Sequence, residues 1–347
     1  MTQDFTFASD NTAGMCPEAL AAVMAANAGS VPGYGNDEYT AEAKVRIAEV
    51  FETEGEVFLV STGSAANGLV LSALCEPHHG ILCHEAAHVA IHEGGGPEFY
   101  TGGAKIIPVP ARHGKISPSD LDRIIEQGGR LRFPPICTLS LTQATELGVV
   151  YTPDEIRALT AVARKRGFPV HMDGARFANA AAALRDDGVS PADLTWKAGV
   201  DVLCFGGGKN GLAGTEAVVF FNRELAREFA YRVKQSGNLA SKMRFGAVQW
   251  AAVLRDGSWL RHAAHANRQA RKLADGLARL GFEVLVPVQA NGIFVELAPP
   301  VAQALADRGW SFYRFLGEHG HRLLCSWATT DEKVEAFLDD ARRARKG

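Results

Sequence analysis

The sequence predicts an α/β protein with a mostly parallel seven-stranded sheet between helices in a large domain, followed by a small C-terminal α+β domain. Two observations carry this prediction. Short apolar, β-branched runs alternate with helix-start patterns through residues 1–245, and such alternation is typical of a parallel sheet covered by helices. In residues 246–347 the pattern changes to long helical stretches with shorter strands. The predicted domains are therefore 1–245 and 246–347.

Apolar runs between turn signals give the strands of the large domain. The predicted strands are Val57–Ser61, Gly80–Cys83, Lys105–Val109, Ile136–Leu141, Pro169–Asp173, Asp201–Phe205 and Glu216–Phe221. Helices are predicted to begin at Ser117-Pro118 and at Thr152-Pro153, because each pair offers an N-cap and a first-turn proline, with acidic residues close behind.

A long helix at Trp259–Leu280 is predicted to join the small domain to the large one. The elements predicted after it are strands at Glu283–Val286 and Ile293–Leu297, a helix at Pro300–Arg308, a strand at His321–Trp327 and a final amphipathic helix.

The composition bears on which partners the protein can bind and in which compartment it is found. The 347 residues are 47% hydrophobic and 22% charged, with a net charge of −3, which gives no electrostatic basis for binding nucleic acid or an anionic membrane. No apolar run approaches the roughly 20 residues of a membrane span. The start Met1–Phe5 lacks a leader pattern, so we expect a cytoplasmic protein. The scattered cysteines lack a Cys-x-x-Cys pair and lie mostly in apolar runs, so we expect reduced, packed thiols, with a disulfide or metal ligation as the alternatives.

The segment His84-Glu85-Ala86-Ala87-His88 matches H-E-x-x-H. On a helix, this spacing lets two imidazoles share a zinc ion while the glutamate acts as a base. The extended form of the motif is absent, because Ile91 and Gly94 occupy its later positions. We therefore favour a strand-to-helix connection with one histidine in a pocket and expect no metal. A zinc hydrolase remains a remote alternative.

The segment Gly206–Gly211 matches G-x-G-x-x-G after a predicted strand. A dinucleotide loop must open into a helix, whereas another strand, 216–221, is predicted next. A P-loop is excluded as well, since Asn210 follows Lys209 where Ser or Thr is required. The glycines instead leave space around Lys209. A desolvated lysine of this kind can form a Schiff base.

Three features are predicted to meet at the carboxyl edge of the sheet, where open α/β folds bind ligands. Asp173 ends one strand, Lys209 follows the next, and the turn Ser61–Asn67 offers backbone N–H groups to an anion. Pyridoxal phosphate needs such a cradle for its phosphate, a carboxylate for its pyridine nitrogen and a lysine for its aldehyde. We therefore predict pyridoxal phosphate as the cofactor.

With these motifs in place, the sequence resembles the pyridoxal-phosphate-dependent threonine aldolases of the β-eliminating-lyase group over nearly its whole length, particularly the low-specificity L-threonine aldolases. The resemblance is carried by Ser9-Asp10-Asn11, Tyr34-Gly35, Ser61–Asn67, His84–His88, His171–Arg176, Phe205–Gly211, Lys242-Met243-Arg244 and Arg322-Leu323-Leu324-Cys325. It implies a fold-type-I enzyme that cleaves L-threonine, L-allo-threonine or a related β-hydroxy-α-amino acid, such as a β-aryl serine, to glycine and an aldehyde. It also implies a homodimer or homotetramer with sites at subunit interfaces.

The resemblance assigns roles around the cofactor. Lys209 is expected to form the Schiff base and Asp173 to pair with the pyridine nitrogen. His88 is expected over the pyridine ring, with a catalytic role. The expected phosphate ligands are Thr62, Gly63 and Ser64.

The resemblance also assigns the substrate's ligands. Arg176, which is expected near the cofactor too, and Arg322 are expected to bind the substrate carboxylate with Ser9, and Tyr34 is expected at the substrate. Structural alternatives stay open for three of them. Ser9 is also suited to capping a turn, Arg322 to a surface ion pair and Tyr34 to packing.

The sequence departs from the family pattern at two places. One branch carries a second histidine near the segment that here reads Leu141–Glu146, where none is present. The catalytic base is therefore His88, or a water molecule held by His88 and His84. The residue before the lysine is often Thr in relatives, whereas here it is Gly208. Backbone N–H groups, a neighbouring subunit or Lys234 would have to replace that hydroxyl.

Another activity on the same fold is the main alternative. A fold-type-I lyase or aminotransferase would use the same lysine and carboxylate but release a keto acid.

Overall fold

A seven-stranded sheet forms the centre of the protein in the computed structural model, which describes residues 6–127 and 131–346. Its strands are β1 (Glu56–Val60), β2 (Gly80–His84), β3 (Lys105–Val109), β4 (Ile136–Thr142), β5 (Val170–Gly174), β6 (Val202–Phe205) and β7 (Glu216–Phe220). They lie in the order β1-β7-β6-β5-β4-β2-β3. Strands β2 to β6 pair in parallel, and β7 runs antiparallel to both of its neighbours. The predicted mostly parallel sheet is confirmed.

Helices cover this sheet. They are α1 (Pro17–Ala26), α2 (Glu38–Val50), α3 (Gly63–Leu74), α4 (His88–Ile91), α5 (Gly96–Thr101), α6 (Pro118–Gln127), α7 (Pro153–Lys165), α8 (Phe177–Leu184), α9 (Phe229–Gln235), α10 (Arg244–Arg255) and α11 (Ser258–Arg279). The predicted start of α7 is confirmed in detail, since Thr152 and Glu155 form a reciprocal capping box. Strands β2, β5 and β6 are buried along their whole length, as expected of parallel strands between two helical layers.

A smaller antiparallel sheet follows α11. Its strands are β8 (Gly292–Glu296), β9 (Tyr313–Leu316) and β10 (Gly320–Leu324), with β10 in the middle, and helices α12 (Pro299–Asp307) and α13 (Asp331–Lys346) accompany them. The predicted strand 283–286 was wrong, because this segment contributes only a single bridge, from Val284 to Val295. The predicted strand from His321 ends early, because Ser326 and Thr329 close a hydrogen-bonded turn after Leu324. Strand β9 was missed.

The amino-terminal arm packs on the small sheet. Phe7 is fully buried against Trp310 and Phe337, and its carbonyl accepts a hydrogen bond from the N–H of Leu324. Trp250 and Trp259, beyond residue 245, pack in the core of the large sheet. The division after residue 245 stays a prediction. Residues 1–5, on which the absence of a leader was judged, lie outside the described residues, and no helix within those ranges is long and apolar enough to cross a membrane.

The expectation of reduced thiols was wrong for one pair, to which the disulfide alternative applies. Cys75 and Cys137 form a disulfide with a Cα–Cα distance of 6.0 Å, which lies in the usual range for such bonds. The two residues are far apart in sequence, Cys75 directly after α3 and Cys137 on β4, and they meet in a buried cluster with Ile81 and Cys83 of β2. The remaining cysteines are free and buried, as predicted: Cys16, Cys83, Cys204 and Cys325.

Candidate active site

A cavity of about 640 Å³ opens at the carboxyl edge of the parallel strands. Asp173 near the end of β5, Lys209 after β6 and the first turn of α3 all line it. Strands β5 and β6 are hydrogen-bonded neighbours, with Asp173 opposite Cys204. The sheet therefore brings together the three features that the sequence predicts to meet.

Lys209 lies in a short 3₁₀ turn, Gly208–Asn210, directly beyond β6. The glycines around it are required by close contacts. A Cβ at Gly206 would lie 2.5 Å from the carbonyl oxygen of Ala175, and one at Gly208 would lie 2.9 Å from Oε1 of Glu216. The glycines therefore allow the lysine loop to lie close against other segments of the same chain, as the sequence predicts.

Asp173 is almost fully buried and is held from two sides. Its Oδ1 accepts a hydrogen bond from the N–H of Ala175 at 3.0 Å, and its Oδ2 accepts one from Nδ2 of Asn67, also at 3.0 Å. These bonds fix the orientation of the carboxylate at the cavity wall. A buried carboxylate held in this way suits a protonated ring nitrogen of a ligand.

His88 lines the same cavity at the start of α4. Its Nδ1 lies 2.8 Å from Oε1 of Glu93, whose side chain is fully buried. The same oxygen of Glu93 accepts a hydrogen bond from Asn67, so one connected set of bonds runs from His88 through Glu93 and Asn67 to Asp173. The hydrogen bond that His88 donates to Glu93 raises the pKa of His88, although burial opposes the shift. Burial raises the pKa of Glu93.

The expected phosphate ligands form the beginning of α3. Thr62 is the N-cap, and its hydroxyl accepts a hydrogen bond from the N–H of Ala65. Gly63 and Ser64 occupy the first turn and line the cavity. The unpaired N–H groups of a helix start, with the positive end of the helix dipole, form a binding site for a phosphate group.

A second cavity of about 350 Å³ adjoins the first, and His88 and Lys209 line both. Ser9, Arg176 and Arg322 line this second cavity, so three of the predicted substrate ligands meet there. Ser9 also caps the 3₁₀ turn Asp10–Thr12, which confirms the structural alternative without removing the residue from the cavity.

Arg176 forms a buried ion pair that the sequence did not predict. Its Nε and Nη2 donate to the two carboxylate oxygens of Asp10, at 2.7 and 3.0 Å. Burial alone would raise the pKa of Asp10, but the charges of Arg176 and Lys209 and hydrogen bonds from Arg176 and Asn291 lower it. The ion pair keeps Arg176 charged and fixes the plane of its guanidinium group. The third guanidinium nitrogen, Nη1, makes no bond to Asp10.

Arg322 has a different environment. Its guanidinium lies 4.7 Å from the ring centre of Phe315, and its buried Nε has no hydrogen-bond partner among the described residues. Burial, together with the charge of Arg176, lowers the pKa of Arg322. A half-buried guanidinium with an unused, buried donor at a cavity wall is suited to an anionic ligand such as a carboxylate.

Tyr34 lies apart from these residues. It is 51% exposed, and it lines neither of the two cavities within the described part of the chain. The ammonium of Lys234 lies 4.7 Å from the ring centre of Tyr34, and Lys234 is not among the described residues that line the cavity with the phosphate cradle. Roles for Tyr34 and Lys234 at the site of their own chain find no support in these positions.

The helix that a zinc motif needs is absent from the segment His84–His88. His84 ends β2, a turn follows, and α4 begins only at His88. Both ring nitrogens of His84 have backbone partners, the N–H of Ala86 and the carbonyl of Ala111. His84 therefore has no free ring nitrogen with which to hold a water molecule, and the alternative of a water molecule as the base depends on His88. Among the described residues, the group of possible metal ligands within 4.8 Å of one another is Cys16, Glu18 and His262.

The sequence assigns no role to four polar residues that lie in or beside the two cavities: Asp10, Asn67, Glu93 and Glu216. Asp10 and Asn67 lie inside motifs that were recognised, so an unexplained polar residue in such a motif was the available signal. Glu93 and Glu216 carried no sequence signal beyond an acidic residue beside an apolar segment. Their partners become visible only in three dimensions.

The cavity fits pyridoxal phosphate. The helix start of α3 suits the phosphate, Asp173 suits the pyridine nitrogen and Lys209 suits the aldehyde. Two buried polar atoms at the cavity, Oδ1 of Asn67 and Oε2 of Glu93, have no partner among the described residues, which is typical of a site built around a polar ligand.

The fold and this cavity define a fold-type-I pyridoxal-phosphate enzyme. The threonine aldolase structure from Leishmania major superposes on the chain with a TM-score of 0.92 at 25% sequence identity, covering 98% of this chain and 99% of that one.

The sequence comparisons identify the family. The family described as Beta-eliminating lyase matches residues 6–299. The low specificity L-threonine aldolase of Pseudomonas aeruginosa is 50% identical over 97% of this chain and 96% of its own length. The enzyme of the same description from another Pseudomonas strain is 48% identical over 98% of each chain. The chain belongs to the beta-eliminating lyase family.

Proposed function

We propose that this chain is a pyridoxal-phosphate-dependent aldolase that cleaves L-threonine, L-allo-threonine or a related β-hydroxy-α-amino acid, such as a β-aryl serine, to glycine and an aldehyde. The observation that carries the proposal is the meeting of Lys209, Asp173 and the α3 helix start in one cavity, which the arginine-lined second cavity adjoins. The low specificity L-threonine aldolases that match nearly the whole chain support the choice of reaction.

The arginines orient the substrate. Arg322, with its unused donor, binds the carboxylate, and Arg176 contributes the nitrogen that Asp10 leaves open. A carboxylate held between two fixed guanidinium groups restricts rotation about the bond to Cα. This restriction sets which bond of the substrate is aligned for cleavage.

His88 moves the proton. It lies where the two cavities join, so it can reach a hydroxyl group on the carbon next to Cα. The neutral imidazole takes the hydroxyl proton as the bond between the two carbons breaks. Pyridoxal phosphate, when bound, supplies the electron sink for the electrons of that bond. Asp173 keeps a positive charge on the ring nitrogen, which strengthens the sink.

The test is product analysis with purified protein and L-threonine. Wild type is expected to release glycine and acetaldehyde in equal amounts, and Lys209→Ala is expected to release neither. Lys197→Ala is the matched control, because this exposed lysine pairs with Glu52 on the surface, and it should keep full activity. Release of a keto acid instead of an aldehyde would assign another fold-type-I lyase or an aminotransferase.

The proposed assembly is a homodimer or homotetramer whose sites lie at subunit interfaces. Apolar side chains exposed on α1, Leu20 at 49% and Met24 at 71%, support a covered surface. In this arrangement Tyr34 serves the cavity of a neighbouring subunit. Light scattering measures the assembly. Mixing inactive Lys209→Ala and Tyr34→Ala subunits should restore activity, whereas an unchanged loss after subunit exchange would contradict a shared site.

The proposed compartment is the cytoplasm. Cell fractionation tests it: threonine-cleaving activity in the cytoplasmic fraction supports the proposal, and activity in a secreted fraction contradicts it.

A further inference from the structure

One carboxylate of the cavity has no part in the mechanism above. Glu216 lines the cavity together with Gly63 and Ser64. It is the first residue of β7, and its register partner is Val60, the last residue of β1. The chain leads from Val60 directly into the phosphate cradle at residues 61–64. An acidic side chain therefore lies beside the place where a phosphate dianion is expected.

The contacts of Glu216 tie it to the lysine loop. Its Oε2 accepts a hydrogen bond from the N–H of Gly207 at 2.5 Å, and both of its oxygens lie 3.4 Å from the N–H of Gly208. The absence of a side chain at Gly208 leaves room for this carboxyl group, because a Cβ there would lie 2.9 Å from Oε1. The carboxyl group of Glu216 thus lies where a side chain at position 208, such as the Thr common in relatives, would otherwise stand.

The electrostatics of this position shift the carboxyl group of Glu216 toward its neutral form. Burial raises the pKa of Glu216 to about 7, although the N–H groups of Gly207 and Gly208 and the charge of Lys209 act against the shift. Asp173 raises the pKa of Glu216 further. The other titratable groups that face the cavity are His88, Glu93 and the thiol of Cys204. A bound phosphate would add negative charge beside Glu216 and so favour its protonated form.

We propose that Glu216 is a proton-carrying ligand of the cofactor phosphate. Its carboxylic O–H donates to a phosphate oxygen, while its carbonyl oxygen keeps the hydrogen bond from Gly207, a division that only the protonated acid allows. Binding of pyridoxal phosphate then takes up a proton when the free protein holds Glu216 ionised. This inference rests on the proposed cofactor and adds a pH dependence to its retention.

The experiment compares pyridoxal phosphate with pyridoxal, which lacks the phosphate, as ligands of the cofactor-free protein between pH 6 and 9. The measured quantity is the dissociation constant of pyridoxal phosphate divided by that of pyridoxal, both obtained by fluorescence titration. In wild type the ratio should rise by about tenfold for each pH unit above neutrality, as expected when one proton must be bound. Glu216→Gln carries a permanent donor and a permanent acceptor, so its ratio should lack that rise.

A second measurement needs no variant. In weak buffer at pH 8, wild type should take up close to one more proton per site when it binds pyridoxal phosphate than when it binds pyridoxal. Equal proton uptake with both ligands, or the same pH dependence of the ratio in wild type and Glu216→Gln, would overturn the inference about Glu216. Failure of wild type to bind either ligand would instead reject the proposed cofactor, so the two failures are distinguishable.

Discussion

Asp10 and Arg176 form a buried, two-bonded ion pair between residues 166 positions apart in the sequence. Asn291, just before the small sheet, donates to the same carboxylate at 2.9 Å. The carboxylate of Asp10 thus joins the amino-terminal arm to segments of the large and small domains, directly behind Arg176 at the wall of the second cavity. Arg176 owes its fixed position at the substrate site to this joint.

The variant Asp10→Asn is expected to lower stability and weaken substrate binding together. Removing one charge of a buried pair leaves the other uncompensated, which costs about 3–5 kcal/mol. With Arg176 less firmly held, KM for L-threonine should rise more than kcat falls. Denaturant unfolding and steady-state kinetics measure the two effects.

Asp37→Ala is the control for this variant. Asp37 is also buried, but it caps α2 through Thr40 and lines neither described cavity. Loss of the cap should cost about 1 kcal/mol and leave KM unchanged. An unchanged KM in Asp10→Asn would show that Arg176 does not depend on Asp10 for its position.

Arg322→Ala tests the carboxylate ligand. Loss of a hydrogen bond to a charged group costs about 1.5–3 kcal/mol, so kcat/KM for L-threonine should fall by roughly 10- to 150-fold. Arg322→Lys should recover part of the loss, since the lysine keeps the charge without the planar fork. Arg308→Ala, which removes an exposed ion pair with Asp340, should have no effect on kcat/KM. Equal values for Arg322→Ala and wild type would remove this residue from the substrate site.

Glu93→Gln should move the pH dependence of cleavage to lower pH. The hydrogen bond that His88 donates to Glu93 raises the pKa of His88, so His88 stays protonated, and inactive as a base, to a higher pH than a free imidazole. Without the carboxylate, the imidazole loses its proton more readily, and the acidic limb of kcat/KM shifts downward in pH. The measurement is the kcat/KM profile of the free enzyme between pH 5 and 9.

Glu85→Gln is the matched control for the Glu93 variant. Glu85 is the exposed acidic residue of the H-E-x-x-H segment, and its substitution should leave the profile unchanged. A zinc hydrolase would instead lose its base with Glu85. An acidic limb that stays in place in Glu93→Gln would mean that another group takes the substrate proton.

The sequence predicts the sheet and the edge of the site well because both depend on local patterns. Strand β3 has the predicted bounds, and Asp173 and Lys209 follow from their positions at strand ends. The partners of these residues are not local. Asn67 reaches Asp173 across 106 positions, and Asp10 reaches Arg176 only after the amino-terminal arm has packed. Such pairs depend on tertiary packing that no short segment encodes.

The local errors have physical causes as well. Strand β9 was missed because its exposed Tyr313 and Arg314 interrupt the apolar pattern of a buried strand. The segment 283–286 has strand-forming residues but makes only one bridge. Periodicity reports whether a segment can form a strand, whereas pairing depends on the neighbour that the fold provides.

The disulfide between Cys75 and Cys137 should contribute measurably to stability. It closes a loop with a sequence separation of 62 residues, and a disulfide of this kind stabilises a protein by about 2–4 kcal/mol through its effect on the unfolded chain. Reduction with dithiothreitol should therefore lower the free energy of unfolding of wild type by that amount.

The double variant Cys75→Ser, Cys137→Ser should unfold identically with and without the reductant. Cys16→Ser, which removes a free buried thiol, should keep the full response to dithiothreitol. If wild type purified under air shows no response to dithiothreitol and both thiols react with an alkylating agent after unfolding, the disulfide makes no contribution to stability and the prediction is wrong.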